Sequence, residues 1–306
     1  MKSTLNKFVI ACVAGMTVAA GSASAEGQAK VIKAAVVEDV GAQERINFSG
    51  KLRMLSQRIP SAACHLAANI EGEAALKLLA GATAEFDKIL NGLEFGDADL
   101  KIKGNEERRK TLAKIHDLRE KWTPVKAAAD SMVAGDVSEA NLAVILDQNM
   151  GVLGAAKLLV SELVGQYSDP SAMIQADSML IDIAGRQRML TQKMAKEACM
   201  LETHHEHADT KDALAGTMQM FEVSLMALRN GMPEAGIKEP PNGEISAGLD
   251  IVISNWAHVK PALEADLAGQ ELSEELKADT FVTLNTTMAN MNKVVGMYAQ
   301  AAKLGL

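Results

Sequence analysis

Two arginines at equivalent positions of a repeated sequence are the side chains best suited to bind a small molecule. Arg53 lies in the segment LRML, and Arg188 lies 135 residues later in the segment QRML. A guanidinium group is planar, and its parallel N–H donors match a planar oxyanion. Two such groups about 4 Å apart would repel by on the order of 4 kcal/mol at an effective dielectric near 20. A monoanion between them would remove that repulsion.

A single arginine on a helix is usually explained without a ligand, by exposure to solvent or by a salt bridge. Here the arginine recurs in both copies of a duplication, within apolar and small residues. The stretch Arg45–Leu66 returns as Leu180–Leu201 without a gap. This density of matches indicates that the helix is the most constrained part of a tandem repeat. The identical pairs include Ile46 and Ile181, Gly50 and Gly185, Met54 and Met189, Leu55 and Leu190, Gln57 and Gln192, and Cys64 and Cys199.

The repeated polar and small residues share one stripe of the predicted helix. At about 100° per residue, Gly50, Gln57 and Cys64 all lie near the direction of Arg53. A glycine one turn before an arginine lets another backbone or a ligand come close. The predicted ligand-binding residues on the two stripes are therefore Gly50, Arg53 and Gln57 in the first copy and Gly185, Arg188 and Gln192 in the second.

The elements that must position these residues are predicted to be helices throughout. Aromatic residues make up only 3% of the chain, while the strong helix formers Ala, Leu, Met, Glu and Lys abound. The sequence therefore predicts an all-α fold of two tandem up-down four-helix bundles with long first and last helices. The first repeat covers 26–168 and the second covers 169–306. Helices are expected at about 30–70, 73–93, 106–133 and 138–167, and then at about 171–203, 210–230, 244–267 and 273–304. Gly41 is a candidate interruption of the first helix.

Residues 1–25 have the composition of an export signal. Lys2 and Lys7 form a charged start, an apolar run follows from 8 to 20, and small residues precede a cleavage site near Ala25. The apolar run is shorter than the roughly 20 residues that a spanning helix needs, which argues against a membrane anchor. The mature chain is therefore expected in the periplasm, with no membrane-inserted segment.

The formal net charge is −8, from 39 acidic and 31 basic residues. An acidic protein has no general electrostatic attraction to nucleic acid or anionic lipid, so neither is an expected partner. An anion site in this chain must be a local cluster of positive charge.

The two repeats have two plausible arrangements. They either pair within one chain as an internal pseudo-dimer, or form an end-to-end rod in which each repeat pairs with another chain, as in a homodimer. Cys64 and Cys199 distinguish these arrangements because they share the arginine stripe. In the first arrangement they come within reach of a disulfide; otherwise they are two small buried core residues.

Other patterns do not indicate a cofactor, a metal site or an enzyme. The segment SAACH at 61–65 lacks the first cysteine of a haem-attachment motif, and Met200 replaces its histidine in the second copy. The histidines at 204, 205 and 207 fall at a helix end in one repeat only, which favours a solvated loop over a metal site. No nucleophile–base pair, phosphate loop or pair of catalytic carboxylates is evident.

The pattern Gly-x-x-Arg-Met-x-Ser/Thr-x-Arg/Lys, preceded by Ile-Asn or Ile-Asp, resembles the P-box of the nitrate and nitrite sensor kinases NarX and NarQ. It is also similar to the N-terminal domain of the PilJ-type chemotaxis transducers of type IV pili. The resemblance implies a helical sensor domain in which, in the nitrate-sensing branch, the motif arginine binds nitrate between two subunits. Carried over, that role falls to Arg53 and Arg188, with Asn47 and Asp182 beside them.

Two hypotheses of function follow from these observations. In the first, the protein is a soluble periplasmic sensor that binds a small oxyanion of the nitrate or nitrite class and signals by contact with a membrane receptor or pilus-associated protein. In the alternative, it is a helical interaction module of a chemotaxis or type IV pilus system with no small-molecule ligand.

Overall fold

The computed structural model describes residues 41–167 and 175–305, so the predicted export signal lies outside the described residues. Within these ranges the chain forms eight α-helices and no β-strand beyond two isolated bridges. The helices are α1 (Ala42–Ala67), α2 (Gly72–Phe95), α3 (Arg109–Val133), α4 (Glu139–Tyr167), α5 (Gln175–Glu202), α6 (Thr210–Asn230), α7 (Gly243–Leu267) and α8 (Glu274–Leu304), with a 3₁₀ turn at Pro233–Ala235.

Each repeat is an up-and-down bundle whose helices pack in chain order. In the first repeat α1 packs against α2 and α4, and α3 closes the ring; α5 to α8 repeat this arrangement. Apolar residues three, four or seven positions apart place one face of each helix in the core. In α2 these include Leu79, Phe86, Leu90 and Leu93, which are fully buried. The predicted all-α fold of two tandem bundles is confirmed.

The repeats meet through their first helices. α1 packs directly against α5, and contacts such as Arg58 Nε to Gln192 Oε1 at 3.1 Å join positions one repeat apart. The two helices therefore run parallel, and the repeats are related by an approximate twofold axis. Of the two arrangements considered from the sequence, the structure has the internal pseudo-dimer, and one hydrophobic core extends through both halves.

The structure differs from the sequence prediction at some helix ends. α1 begins at Ala42, just after the candidate interruption at Gly41, which has a left-handed backbone with φ of 71°; the predicted residues 30–40 lie outside the described residues. α3 begins at Arg109 rather than near Glu106, whose Oε1 instead accepts the backbone N–H groups of Glu107 and Arg108 just before the helix.

Among the described helices, α4 is long and apolar enough to cross a membrane by length and composition alone. From the sequence, no membrane-spanning segment was predicted after the export signal. Half of the apolar stretch of α4 is buried in the structure, where the helix packs against α1 and α3. This burial is typical of a core helix in a bundle.

Candidate functional site

Arg53 and Arg188 converge at the α1–α5 interface, beside the two repeated glycines. The Nη2 atoms of Arg188 and Arg53 lie 3.6 and 4.0 Å from the point where a Cβ on Gly185 would stand. On the other helix, Arg53 Nη2 lies 3.7 Å from the same point on Gly50. Guanidinium groups from the two repeats therefore lie close to the backbone of these glycines, at distances that an added Cβ would meet as ordinary van der Waals contacts.

The two arginines have different partners. Arg53 donates from Nη2 to Asp182 Oδ1 at 3.1 Å, and the other oxygen of this carboxylate lies 2.9 Å from Arg186. Arg188 donates from Nη1 to the amide oxygen of Asn292 at 2.6 Å. No carboxylate oxygen of the described residues lies within 4.0 Å of Arg188, and its Nε has no hydrogen-bond partner among them.

Burial and like charge act together on Arg188, which is only 6% exposed. Burial, and then the charge of Arg53, lower the pKa of Arg188 from its ordinary value to about 10. The group therefore remains charged at neutral pH. On α4, burial followed by the charges of Lys193, Arg53 and Arg186 lowers the pKa of Lys157. A local cluster of positive charge thus exists in a chain that is acidic overall.

The glutamines of the stripe lie one turn further along and belong to a separate polar layer. Gln57 donates to Asn149 Oδ1 of α4 at 3.4 Å, and Lys196 donates to the same oxygen at 3.1 Å. Gln192 accepts from Arg58, as described above. The structure therefore brings the arginines, the glycines and Asp182 together, while Gln57 and Gln192 hold neighbouring helices and Asn47 is exposed.

At the far end of the stripe, Cys64 and Cys199 form a disulfide that joins α1 to α5. Next to it, His65 is buried and its ring stacks on Phe281 at a centroid distance of 4.0 Å. Burial lowers the pKa of His65 to about 4, so this ring is neutral at physiological pH. The end of the interface remote from the arginines is therefore covalently fixed and apolar.

The histidines at the end of α5 lie near acidic residues of α4. His205 Nε2 is 3.0 Å from Glu139, and His207 Nε2 is 3.3 Å from Asp147. Both pairs are largely exposed, and they add polar contacts between the repeats.

Asn292 and Lys157 were not predicted from the sequence to lie near the site. The prediction rested on residues identical in both copies, and the contribution of α4 and α8 is not repeated. The available signal was weak: an asparagine within the apolar pattern of α8 and a lysine on α4.

Comparison with known proteins agrees with this architecture. The chain matches the family described as the type IV pili methyl-accepting chemotaxis transducer N-terminal domain, PilJ, over residues 38–147 and again over 171–280. It is also similar to the methyl-accepting chemotaxis protein McpN of Pseudomonas aeruginosa, with 35% identity over 105 residues. That match covers 31% of this chain and 19% of McpN, so it spans about a fifth of the relative's length. With two matches that together cover well over half of its length, this chain belongs to the PilJ family of chemotaxis transducer N-terminal domains and carries two tandem copies.

Proposed function

We propose that this protein is a periplasmic sensory component of a chemotaxis-type system that binds a small oxyanion between α1 and α5. The family assignment supports a signalling role rather than a catalytic one. The proposed ligand is a monoanion of the nitrate or nitrite class, held by Arg53 and Arg188. Gly50 and Gly185 allow the ligand to approach, and Asp182 and Asn47 lie at the rim.

The observation that carries this proposal is the unpaired charge of Arg188. A buried charge without a partner of opposite sign is costly to a fold. Here it stands beside a second guanidinium from the other repeat, with an Nε donor that no described residue uses. A planar anion would supply both the missing negative charge and the missing acceptor.

Binding at this position would be coupled to helix position, because the two arginines belong to different repeats. Without an anion, the like charges of Arg53 and Arg188 repel each other across the α1–α5 interface. With an anion they are drawn to a common partner, which favours the closer arrangement. The Cys64–Cys199 disulfide holds the far end, so the change is expected on the arginine side, where a membrane receptor or pilus-associated protein would detect it.

Calorimetric titration of the oxidised protein with nitrate and nitrite tests the proposal. Hydrogen bonds to a charged group contribute about 1.5–3 kcal/mol, so Arg188→Ala is expected to weaken binding by roughly tenfold or more. Arg229→Ala is a matched control, since that arginine pairs with Asp250 on the surface. No saturable heat with any oxyanion, or equal binding by Arg188→Ala and wild type, would refute the oxyanion site.

A partner-binding function without a small ligand is favoured by one surface feature. Met150 and Leu158 are 48% and 52% exposed and share a stripe of α4 with the exposed Gly154. An apolar stripe of this kind is typical of helix-to-helix recognition. If this is the function, Leu158→Glu is expected to abolish complex formation with the receptor, while Arg188→Ala leaves it unchanged.

A further inference from the structure

The first repeat closes one end of its bundle with a buried arginine. Arg45, near the start of α1, donates from Nη1 to the carbonyl oxygen of Leu93 at 2.8 Å. Its Nη2 donates to the carbonyl oxygens of Lys103 and Gly104 at 3.2 and 2.8 Å. Glu106 lies 3.6 Å from Nη1. This guanidinium therefore satisfies several acceptors of the loop between α2 and α3.

The second repeat has the same bridge at the start of this loop but has Leu180 in place of the arginine. The bridge between Asp97 and Ile102 returns as the bridge between Met232 and Ile237, again 135 residues later. The glycine before each bridge has positive φ, 80° in the first copy and 73° in the second. The carbonyls of Leu228 and Lys238 therefore correspond to those of Leu93 and Lys103, which bind the guanidinium of Arg45. The two loops diverge at the third acceptor, because Gly104 has a positive φ of 69° and its counterpart Glu239 does not.

A cavity of about 210 Å³ lies at this place in the second repeat, far larger than the roughly 10–15 Å³ that one water needs. Five of its eight lining residues correspond to Arg45 or to residues around it: Leu180 to the arginine itself, Lys238 to Lys103, Glu239 to Gly104, Pro241 to Glu106 and Tyr298 to Tyr167. The cavity thus lies where an arginine side chain fills the first repeat.

The acceptors around the cavity are only partly used. Tyr298 is buried, and its hydroxyl donates to the carbonyl oxygen of Leu228 at 3.3 Å. No donor among the described residues reaches the carbonyl oxygen of Lys238 or Glu239. A carbonyl oxygen has two lone pairs, so Leu228 also retains capacity for a second donor.

We propose that this cavity is a binding site for a guanidinium group, supplied either by a free alkylguanidinium compound or by an arginine side chain of another protein. The planar fork of the ligand would take the position in the second repeat that corresponds to Arg45 in the first, donating to the carbonyl oxygens of Leu228 and Lys238. This site is separate from the oxyanion site and of opposite charge preference.

The charges of the lining agree with a cationic ligand. Asp177 and Glu239 contribute two carboxylates, and Lys238 contributes one ammonium group. The lysine does not oppose the proposal, because Lys103 holds the equivalent position beside Arg45 in the first repeat. The loss of Glu106, replaced by Pro241, is offset by Asp177 and Glu239, which have no acidic counterparts at 42 and 104.

Titration of the full-length protein with n-butylguanidinium, and with n-butylammonium as the matched control, tests the site. Saturable binding of the guanidinium compound, at least about tenfold tighter than that of the ammonium compound, is expected because only the fork can reach several carbonyls. Leu180→Arg refills the cavity from within and should abolish binding. Leu180→Ala keeps the cavity open and should retain binding. This control shows whether Leu180→Arg loses binding because the cavity is filled or because substitution at this position disrupts the fold.

A short blocked peptide with one central arginine, compared with its lysine analogue, identifies the source of the group. Binding of the arginine peptide but not of butylguanidinium indicates a protein partner, and the reverse indicates a small molecule. Absence of binding by both probes, or equal binding to wild type and Leu180→Arg, overturns the proposal. Arg188→Ala should leave guanidinium binding unchanged. Absence of guanidinium binding would therefore overturn this proposal without bearing on the oxyanion site.

Discussion

The charge of Arg188 is maintained at a cost to stability. For a base whose folded pKa lies below its ordinary value, the charged form is disfavoured by folding, and this penalty is present at every pH below about 10. It is relieved only as the pH rises past that value. The shift corresponds to a penalty on the order of 3 kcal/mol. A fold selected for stability alone would not retain such a residue.

Replacing Arg188 by methionine is therefore expected to raise the free energy of unfolding, by about 1–4 kcal/mol. The unbranched apolar side chain fills similar space and removes the repulsion with Arg53. Urea denaturation of the oxidised protein measures the effect, with Arg53→Met as the matched control, since Arg53 has Asp182 as a partner. A clear loss of stability in Arg188→Met would mean that its hydrogen bond to Asn292 outweighs the burial of charge.

Two acidic residues near the C-terminal ends of α5 and α7 make stability depend on pH. Burial raises the pKa of Glu202 to about 7, and burial together with the charge of Glu202 raises that of Asp266 to about 8. Lys277 and Glu274 on α8 are the other charged groups that act on this pair. Because the folded state holds protons that the unfolded state has released, stability falls as the pH rises from the ordinary carboxyl range near 4 to about 8, and the fall is complete above the folded pKa values. His65 has a depressed pKa and acts only below about pH 6.5.

The free energy of unfolding should therefore decrease between pH 6.5 and 8, by about 1–3 kcal/mol. Glu202→Gln removes one titrating group and the charge that raises the pKa of Asp266, so it should flatten this dependence. Urea denaturation at the two pH values measures the slope. Glu275→Gln, at an exposed position of α8, should keep the wild-type slope. An unchanged slope in Glu202→Gln would assign the effect to other groups.

At the scale of helices, the repeat left the pairing of α1 with α5 as one of two arrangements, and the structure has that one. Equivalent residues of a duplicated helix meet across an approximate twofold axis, and the shared stripe of Arg53 and Cys64 indicated which face would meet. The residues that α4 and α8 contribute to this interface could not be predicted in the same way. Asn149, Asn292 and Lys157 reach the interface from α4 and α8, where the copies have diverged and the repeat carries no information.

The disulfide between α1 and α5 closes a loop of 135 residues. Cross-links that close long loops restrict the unfolded chain most, and loss of a native disulfide typically costs about 2–5 kcal/mol. The double variant Cys64→Ser/Cys199→Ser should lose stability in this range in thermal or urea unfolding. Wild type in reducing agent should approach the same value. Equal stability of the oxidised wild type and the double variant would show that packing alone holds the two helices together.

At the scale of the whole molecule, the two repeats differ in a consistent way. One copy places the neutral Asn47 where the other has Asp182, so one interface arginine is paired and the other is not. One copy fills the end of its bundle with Arg45, whereas the other leaves a cavity beside Leu180. The duplication provides a common frame, and each departure from symmetry leaves donors or acceptors unused. The cavity beside Leu180 and the unpaired charge of Arg188 could not be predicted from the sequence. Both depend on which residues of other helices and loops pack against a position where the two copies differ.

The symmetry also yields a test of the oxyanion site in which only one rim residue is exchanged at a time. Asp182 pairs with Arg53 of the other repeat. By the approximate twofold symmetry, Asn47 holds the equivalent position relative to Arg188. Asn47→Asp should therefore place a carboxylate beside the unpaired guanidinium and weaken nitrate binding by roughly tenfold or more, as expected for loss of a charge-assisted contact. Asp182→Asn should instead strengthen nitrate binding, because it removes the carboxylate that pairs with Arg53.

The double variant Asn47→Asp/Asp182→Asn restores the net charge of the interface while exchanging the roles of the two arginines. It should bind nitrate with an affinity close to that of wild type, measured by the same calorimetric titration. If nitrate binding depends on the unpaired charge of one interface arginine, the two single variants should change the affinity for nitrate in opposite directions. The double variant should have the affinity of the wild type. Equal affinities in all four proteins would mean that the rim residues do not control the charge at the site, and that the anion is held elsewhere.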